Sequence, residues 1–113
     1  VNPDVKRLWT NALLSGDYKQ AQHHLRKSGV GYCCLGVLCD IAPEELGSWE
    51  KEHGLAISWI SNVGRKISNR DFPPQSILDW AGISFEQASA LASLNDEEGA
   101  DFPTIATFIE EKF

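Results

Sequence analysis

The chain has 113 residues, 42% hydrophobic, 23% charged and 10% aromatic, a size and balance that fit one globular domain and leave no room for two. Ten basic against sixteen acidic residues give a formal net charge of −6, which opposes general binding to a polyanion such as DNA. No apolar run approaches the ~20 residues of a membrane span, and the start VNPDVKRLWT lacks the apolar core of a signal peptide, so the expectation is a cytoplasmic protein with neither nucleic acid nor membrane as partner.

In chain order, Asn2 caps a helix with Pro3 in its first turn, and Val5, Leu8, Trp9, Ala12 and Leu13 repeat at helical spacing until Gly16. Asp17 to Lys27 carries only Tyr18, Ala21 and Leu25 as a thin apolar stripe, which reads as a short surface helix or an ordered loop. Ser28-Gly29-Val30-Gly31 is a flexible approach to the nearly continuous apolar run Tyr32-Cys-Cys-Leu-Gly-Val-Leu-Cys-Asp-Ile-Ala42. Its length and lack of alternation predict a core helix buried on all sides, with Cys34, Leu35, Leu38 and Cys39 inside. Gly36 in its middle costs about 1 kcal/mol against Ala, which implies that another element approaches closely there.

From Glu44 to Asp71, Gly47, Gly54 and Gly64 interrupt any helical period. Leu55, Ile57 and Trp59 alternate with Ala56 and Ser58, and Asn62-Val-Gly-Arg65 before Lys66-Ile-Ser68 predicts the turn of a small β-hairpin. Phe72-Pro73-Pro74 opens a helix carrying Ile77, Leu78 and Trp80, closed by Gly82. Ser84-Phe-Glu-Gln87 has the pattern of a capping box and opens a helix with Phe85, Ala88, Leu91 and Ala92 inward, ended by Asn95-Asp96-Glu-Glu-Gly99. A last helix starts near Asp101 with Ile105, Ala106, Phe108, Ile109 and Phe113 on one stripe. The expected fold is mainly α: a compact single domain, residues 1–113, of about five helices with a small β-hairpin.

Three segments carry a resemblance. They are Tyr18-Lys-Gln20, the block Tyr32-Cys-Cys-Leu-Gly-Val-Leu-Cys-Asp40 (Y-C-C-L-G-x-L-C-D), and Leu94 to Ala106 (L-N-D-x-x-G-x-x-F-x-x-I-A), which Phe108-Ile-Glu110 follows. Together with Pro-Pro-x-x-x-Leu-Asp-Trp-Ala-Gly82, the set resembles a family of short uncharacterised proteins encoded by bacteriophages, prophages and bacteria. The resemblance implies a setting and carries over no functional residues. Small accessory phage proteins counter host defence by masking a host protein or by sequestering a nucleotide immune signal.

For chemistry, the cysteines are read as core. On a helix Cys33 and Cys34 lie about 100° apart and Cys39 about 120° or more from either, so they share no face for a metal, and neither a metal site nor a cofactor is expected. A nucleophilic Cys33 or Cys34, activated by a helix N-terminus with His23 or His24 as base, is the enzymatic alternative. Asn95-Asp96-Glu97-Glu98 lacks the spacing of a calcium loop and reads as a solvated turn in which Asn95 or Asp96 caps backbone.

The charge is uneven. Residues 1–39 hold five basic residues against Asp4 and Asp17, a balance of +3, while residues 40–113 hold five basic against fourteen acidic, a balance of −9. The anion site is therefore sought in Tyr18, Lys19, Gln20, His23, Arg26 and Lys27, which combine a stacking ring, an amide, an imidazole and fixed positive charges. The plainer alternative is a polar face whose Tyr18 packs inward. The leading expectation is a phage-type accessory protein that binds a nucleotide-like anionic signal without turnover. The next is an inhibitor that presents its acidic face to a host defence protein, and a thiol enzyme is third. A homodimer is expected, because symmetric copies of a small chain make a deep pocket most easily.

Overall fold

A computed structural model describes residues 1–50, 54–62 and 68–113. Helix α1 (Pro3–Leu14) starts where Asn2 turns its Oδ1 to the Asp4 and Val5 amides, and it buries Val5, Trp9, Thr10 and Leu13. The chain then runs through an ordered loop into two short strands, β1 (Arg26–Lys27) and β2 (Gly31–Tyr32), paired antiparallel. Helix α2 (Cys34–Ile41) follows at once, capped at its N-terminus by the Cys33 sulfur, which accepts from the Gly36 amide. A 3₁₀ turn (Glu44–Leu46) leads into β3 (Gly47–Glu50), β4 (Ala56–Ser61) and β5 (Ser68–Asn69). Helices α3 (Gln75–Ala81), α4 (Phe85–Asp96) and α5 (Phe102–Lys112) complete the chain.

Strand β4 organises the sheet. Along one edge it pairs with β3, bringing Trp49 opposite Trp59; along the other it pairs with β1 at Ala56 and Ile57 and with β5 at Trp59 and Ile60. The path is β2-β1-β4-β3, all antiparallel. The five expected helices and the hairpin strands are present, while the proposed turn, residues 62–65, lies beyond Asn62 outside the described residues. The mainly α expectation needs correction, since the sheet also recruits residues 26–27, 31–32 and 47–50 and the domain is a mixture of helices and antiparallel sheet. Two-residue strands are too short to show alternation, so periodicity passes over them.

The core is built by all five helices, with Trp59 of β4 among its members. Leu35, Val37, Leu38, Leu91, Ile105 and Ile109 are fully buried, and Trp9 reaches in to donate its Nε1–H to the Cys34 carbonyl at 3.0 Å. The close approach implied by Gly36 is real: a Cβ there would stand 1.7 Å from the Leu25 carbonyl oxygen, so only glycine lets the loop before β1 cross α2. The capping box of α4 is complete, with Ser84 and Gln87 bonded reciprocally, and Gly82 ends α3 in the left-handed region at φ 72°. Phe85, expected inward, is exposed and its ring meets Phe72 instead, and Leu8 of the first helical stripe and Leu55 of the alternating run are exposed as well.

Candidate functional site

Residues 17–32 do not form a helix. The chain makes a parallel bridge between Gln20 and Tyr32, in which Tyr32 donates its amide to the Lys19 carbonyl and accepts from the Ala21 amide, both at 2.8 Å. It then turns at His23, whose φ is 74° and whose backbone N–H donates a hydrogen bond to the Asp96 carboxylate, before Leu25 donates to the Arg70 carbonyl and β1 begins. Ser28 to Val30 is a tight reversal closed by the Val30 amide on the Lys27 carbonyl at 3.1 Å rather than a flexible approach. Gly31 permits the crossing. Its φ is 153°, and a Cβ would meet the Lys19 carbonyl oxygen at 2.1 Å.

This fold brings three of the six expected ligand residues together. Lys19, Arg26 and Lys27, with Asp17, Gly29, Val30, Gly31 and Tyr32, line an open cleft of about 290 Å³. Among the described residues none of these three cations is paired with a carboxylate, so Asp17 is the negative charge in the lining. Cross-strand register sets Tyr32, Arg26 and Ile57 in one row of the sheet. The guanidinium accordingly lies 4.9 Å from the Tyr32 ring centre and 5.5 Å from that of Trp49.

The other expected residues take different places. Tyr18 sits behind the cleft: its ring meets Tyr32 edge-on at 5.1 Å and its hydroxyl donates to Asp40 Oδ2 at 2.5 Å. Asp40 Oδ1 accepts from Trp49 Nε1 at 2.9 Å, so one carboxylate fixes two rings. Burial and this hydrogen bond push the Tyr18 phenol up, and burial does the same for Tyr32, which keeps both protonated. Gln20 turns inward and donates to Asn95 Oδ1 at 2.8 Å and to the Ala100 carbonyl at 2.7 Å, and His23 contributes its backbone to Asp96. Neither lines the cleft. Of the two readings of Asp17 to Lys27, short helix or ordered loop, the structure is the loop, so no helical face gathers these residues.

A family described as a domain of unknown function, DUF8296, matches residues 1–113. The chain belongs to that family. No curated protein matches it, and no solved structure does.

For this DUF8296 member the thiol reading loses its geometry. Cys33, Cys34 and Cys39 are all free and buried, and burial raises all three thiols, that of Cys33 to about 12 despite the Gly36 amide on its sulfur. A thiol so raised supplies almost no thiolate near neutrality. The Asn95–Glu98 segment is a solvated turn at Glu97 and Glu98, which are exposed, and Asn95 and Asp96 bond backbone as expected, but Asn95 does so from a fully buried position. It accepts from Gln20 and from the Cys34 amide, and it donates to the Ala21 carbonyl and to Asp96. Sequence reasoning missed Asp40, Tyr32 and Trp49 as parts of the site. Tyr32 and Asp40 sat inside the run assigned to the core helix, and Trp49 in a stretch without readable period.

Proposed function

We propose that this protein is a non-catalytic binder of a small phosphorylated anion of the nucleotide class, held in the Arg26 cleft. The observation that carries the reading is the convergence of Lys19, Arg26 and Lys27 on one cleft with Asp17 as the opposing charge, in a chain whose net charge is −6. Local positive charge set in an acidic protein concentrates small anions while the rest of the surface repels polyanions. Arg26 is half-buried on aromatic rings, where an ionic contact is screened less than at an open surface.

In the setting implied by the phage-like motifs, such binding withholds a nucleotide signal from a host defence system, as a sponge rather than an enzyme. The burial of the three cysteines favours binding over thiol chemistry. Calorimetry of the purified chain against a panel of cyclic and linear nucleotides tests the proposal. Binding by at least one member, abolished in Arg26→Glu with the cooperative thermal transition retained, supports it. No binding to any of them, together with co-purification of a host protein, overturns it in favour of the inhibitor reading.

A further inference from the structure

Resting on the phosphorylated-anion reading, the geometry points to a narrower ligand class: we infer that the cleft recognises the phosphate group itself, and that Tyr32, Trp49 and Asp40 are positioning residues for Arg26 rather than a platform for a base. The aromatic rings are committed to one another and to the guanidinium. Tyr18 and Trp49 meet Tyr32 at steep angles, 85° and 66°, and Arg26 lies against both Tyr32 and Trp49. A guanidinium held against ring faces by cation–π contact has its N–H groups in its own plane, an arrangement that matches the oxygens of a phosphate.

Asp40 makes the arrangement rigid. Each of its oxygens is occupied, one by the Tyr18 hydroxyl and the other by Trp49 Nε1, and it forms no ion pair with Arg26. The carboxylate therefore fixes the rings while leaving the guanidinium charge unspent for a ligand. Lys19 and Lys27 supply the additional charge that a dianion needs. The cleft is open to solvent, so a ligand held by its phosphate can leave the remainder of the molecule in solvent.

The test is calorimetry at fixed ionic strength with three probes, adenosine monophosphate, ribose 5-phosphate and adenosine. The two phosphates bind with dissociation constants within about fivefold of each other, and adenosine gives no heat. Adenosine binding, or adenosine monophosphate binding more than about twentyfold tighter than ribose 5-phosphate, assigns recognition to the base and overturns the inference while the nucleotide reading survives. Silence of both phosphates while another nucleotide binds overturns it in the same way, and silence of every nucleotide removes the parent reading too.

The positioning role has its own readout. Tyr32→Phe keeps the ring under Arg26 and retains affinity for the phosphate probe within about twofold, whereas Tyr32→Leu loses about tenfold. Trp49→Phe, which removes the Asp40 tie and keeps a ring, loses about threefold. The Arg26 Nε–Hε resonance, shifted by the rings in the wild type, moves toward a free-arginine position in Tyr32→Leu and stays in Tyr32→Phe. Equal affinities in Tyr32→Leu and wild type, or an unmoved Arg26 resonance, contradict the role.

Discussion

The segment from Asp17 to Tyr32 folds back on itself through the Gln20–Tyr32 bridge, and the loop so formed has two ends in space that handle polarity in opposite ways. At one end Gln20, Ala21 and His23 are tied to the top of α4, where Asn95, fully buried, spends its donors and acceptor inside the protein. At the other end Arg26, Lys19 and Lys27 stand around an open cleft with their charges unpaired by any described carboxylate. The first pattern is what stability requires, because an unsatisfied buried polar group costs about 1 to 3 kcal/mol. The second holds charge in reserve and is what a binding site requires. One loop therefore anchors itself with its amides and leaves its cations for something else.

Perturbations that break this contrast are expected to sort by region. The largest effect lies in the helix that both ends rest upon: Leu38→Asp places a carboxylate at a fully buried position and costs more than about 4 kcal/mol. That is enough to unfold a domain of this size, as loss of the cooperative thermal transition by circular dichroism would show. Retention of the wild-type transition would remove α2 from the core. Asn95→Ala comes next, stripping partners from Gln20, the Cys34 amide and the Ala21 carbonyl, at about 3 to 5 kcal/mol in urea denaturation. Gly36→Ala forces α2 and the Leu25 backbone apart and costs about 3 kcal/mol. Arg26→Glu, by contrast, loses its contacts with two rings and shifts stability by only about 1 kcal/mol in the same assay. A loss there as large as that of Asn95→Ala would make Arg26 a structural residue and erase the distinction between the two ends.

The smallest effect sharpens the helical side. Asp101 caps α5 by accepting from the Thr104 amide at 3.0 Å, and hydrogen bonding from the Thr104 side chain, then from that amide, lowers its carboxyl below the ordinary 3.8. A carboxyl with a lowered folded value adds stability that is present above its unfolded pKa and disappears as pH falls through the lowered one. Melting temperatures followed from pH 5 downward should therefore fall less steeply in Asp101→Asn, which keeps a capping oxygen and loses the titration. An unchanged slope would mean that the cap carries no linkage.

How far the residues foretold this arrangement differs between the same two regions. The helices were legible because caps and apolar spacing are local: Asn2, Ser84 with Gln87, and Gly82 each do in the structure what their neighbours imply. Gly36 was legible as a close contact for the same reason, although its partner, the Leu25 carbonyl, was not. The cleft was half legible. A cluster of cations in an acidic chain marks Lys19, Arg26 and Lys27, yet no periodicity marks the two-residue strands that bring Tyr32 against Arg26. Trp49 arrives from 23 positions further along through pairing with β4, a long-range contact that leaves no trace in local spacing. Gln20 and Asn95 misled for a related reason: both are polar and near turns, and only the tertiary fold shows that they satisfy each other in the interior.

The most direct measurement is an amide and Arg Nε–Hε correlation spectrum of the 15N-labelled chain titrated with adenosine monophosphate. Binding in the cleft predicts saturable shifts at the Lys19, Lys27, Gly29 and Gly31 amides and at the Arg26 side chain, with Gln22, Asn95 and Asp96 unmoved. A spectrum that stays still, or shifts confined to the Asn95 end of the loop, would contradict it.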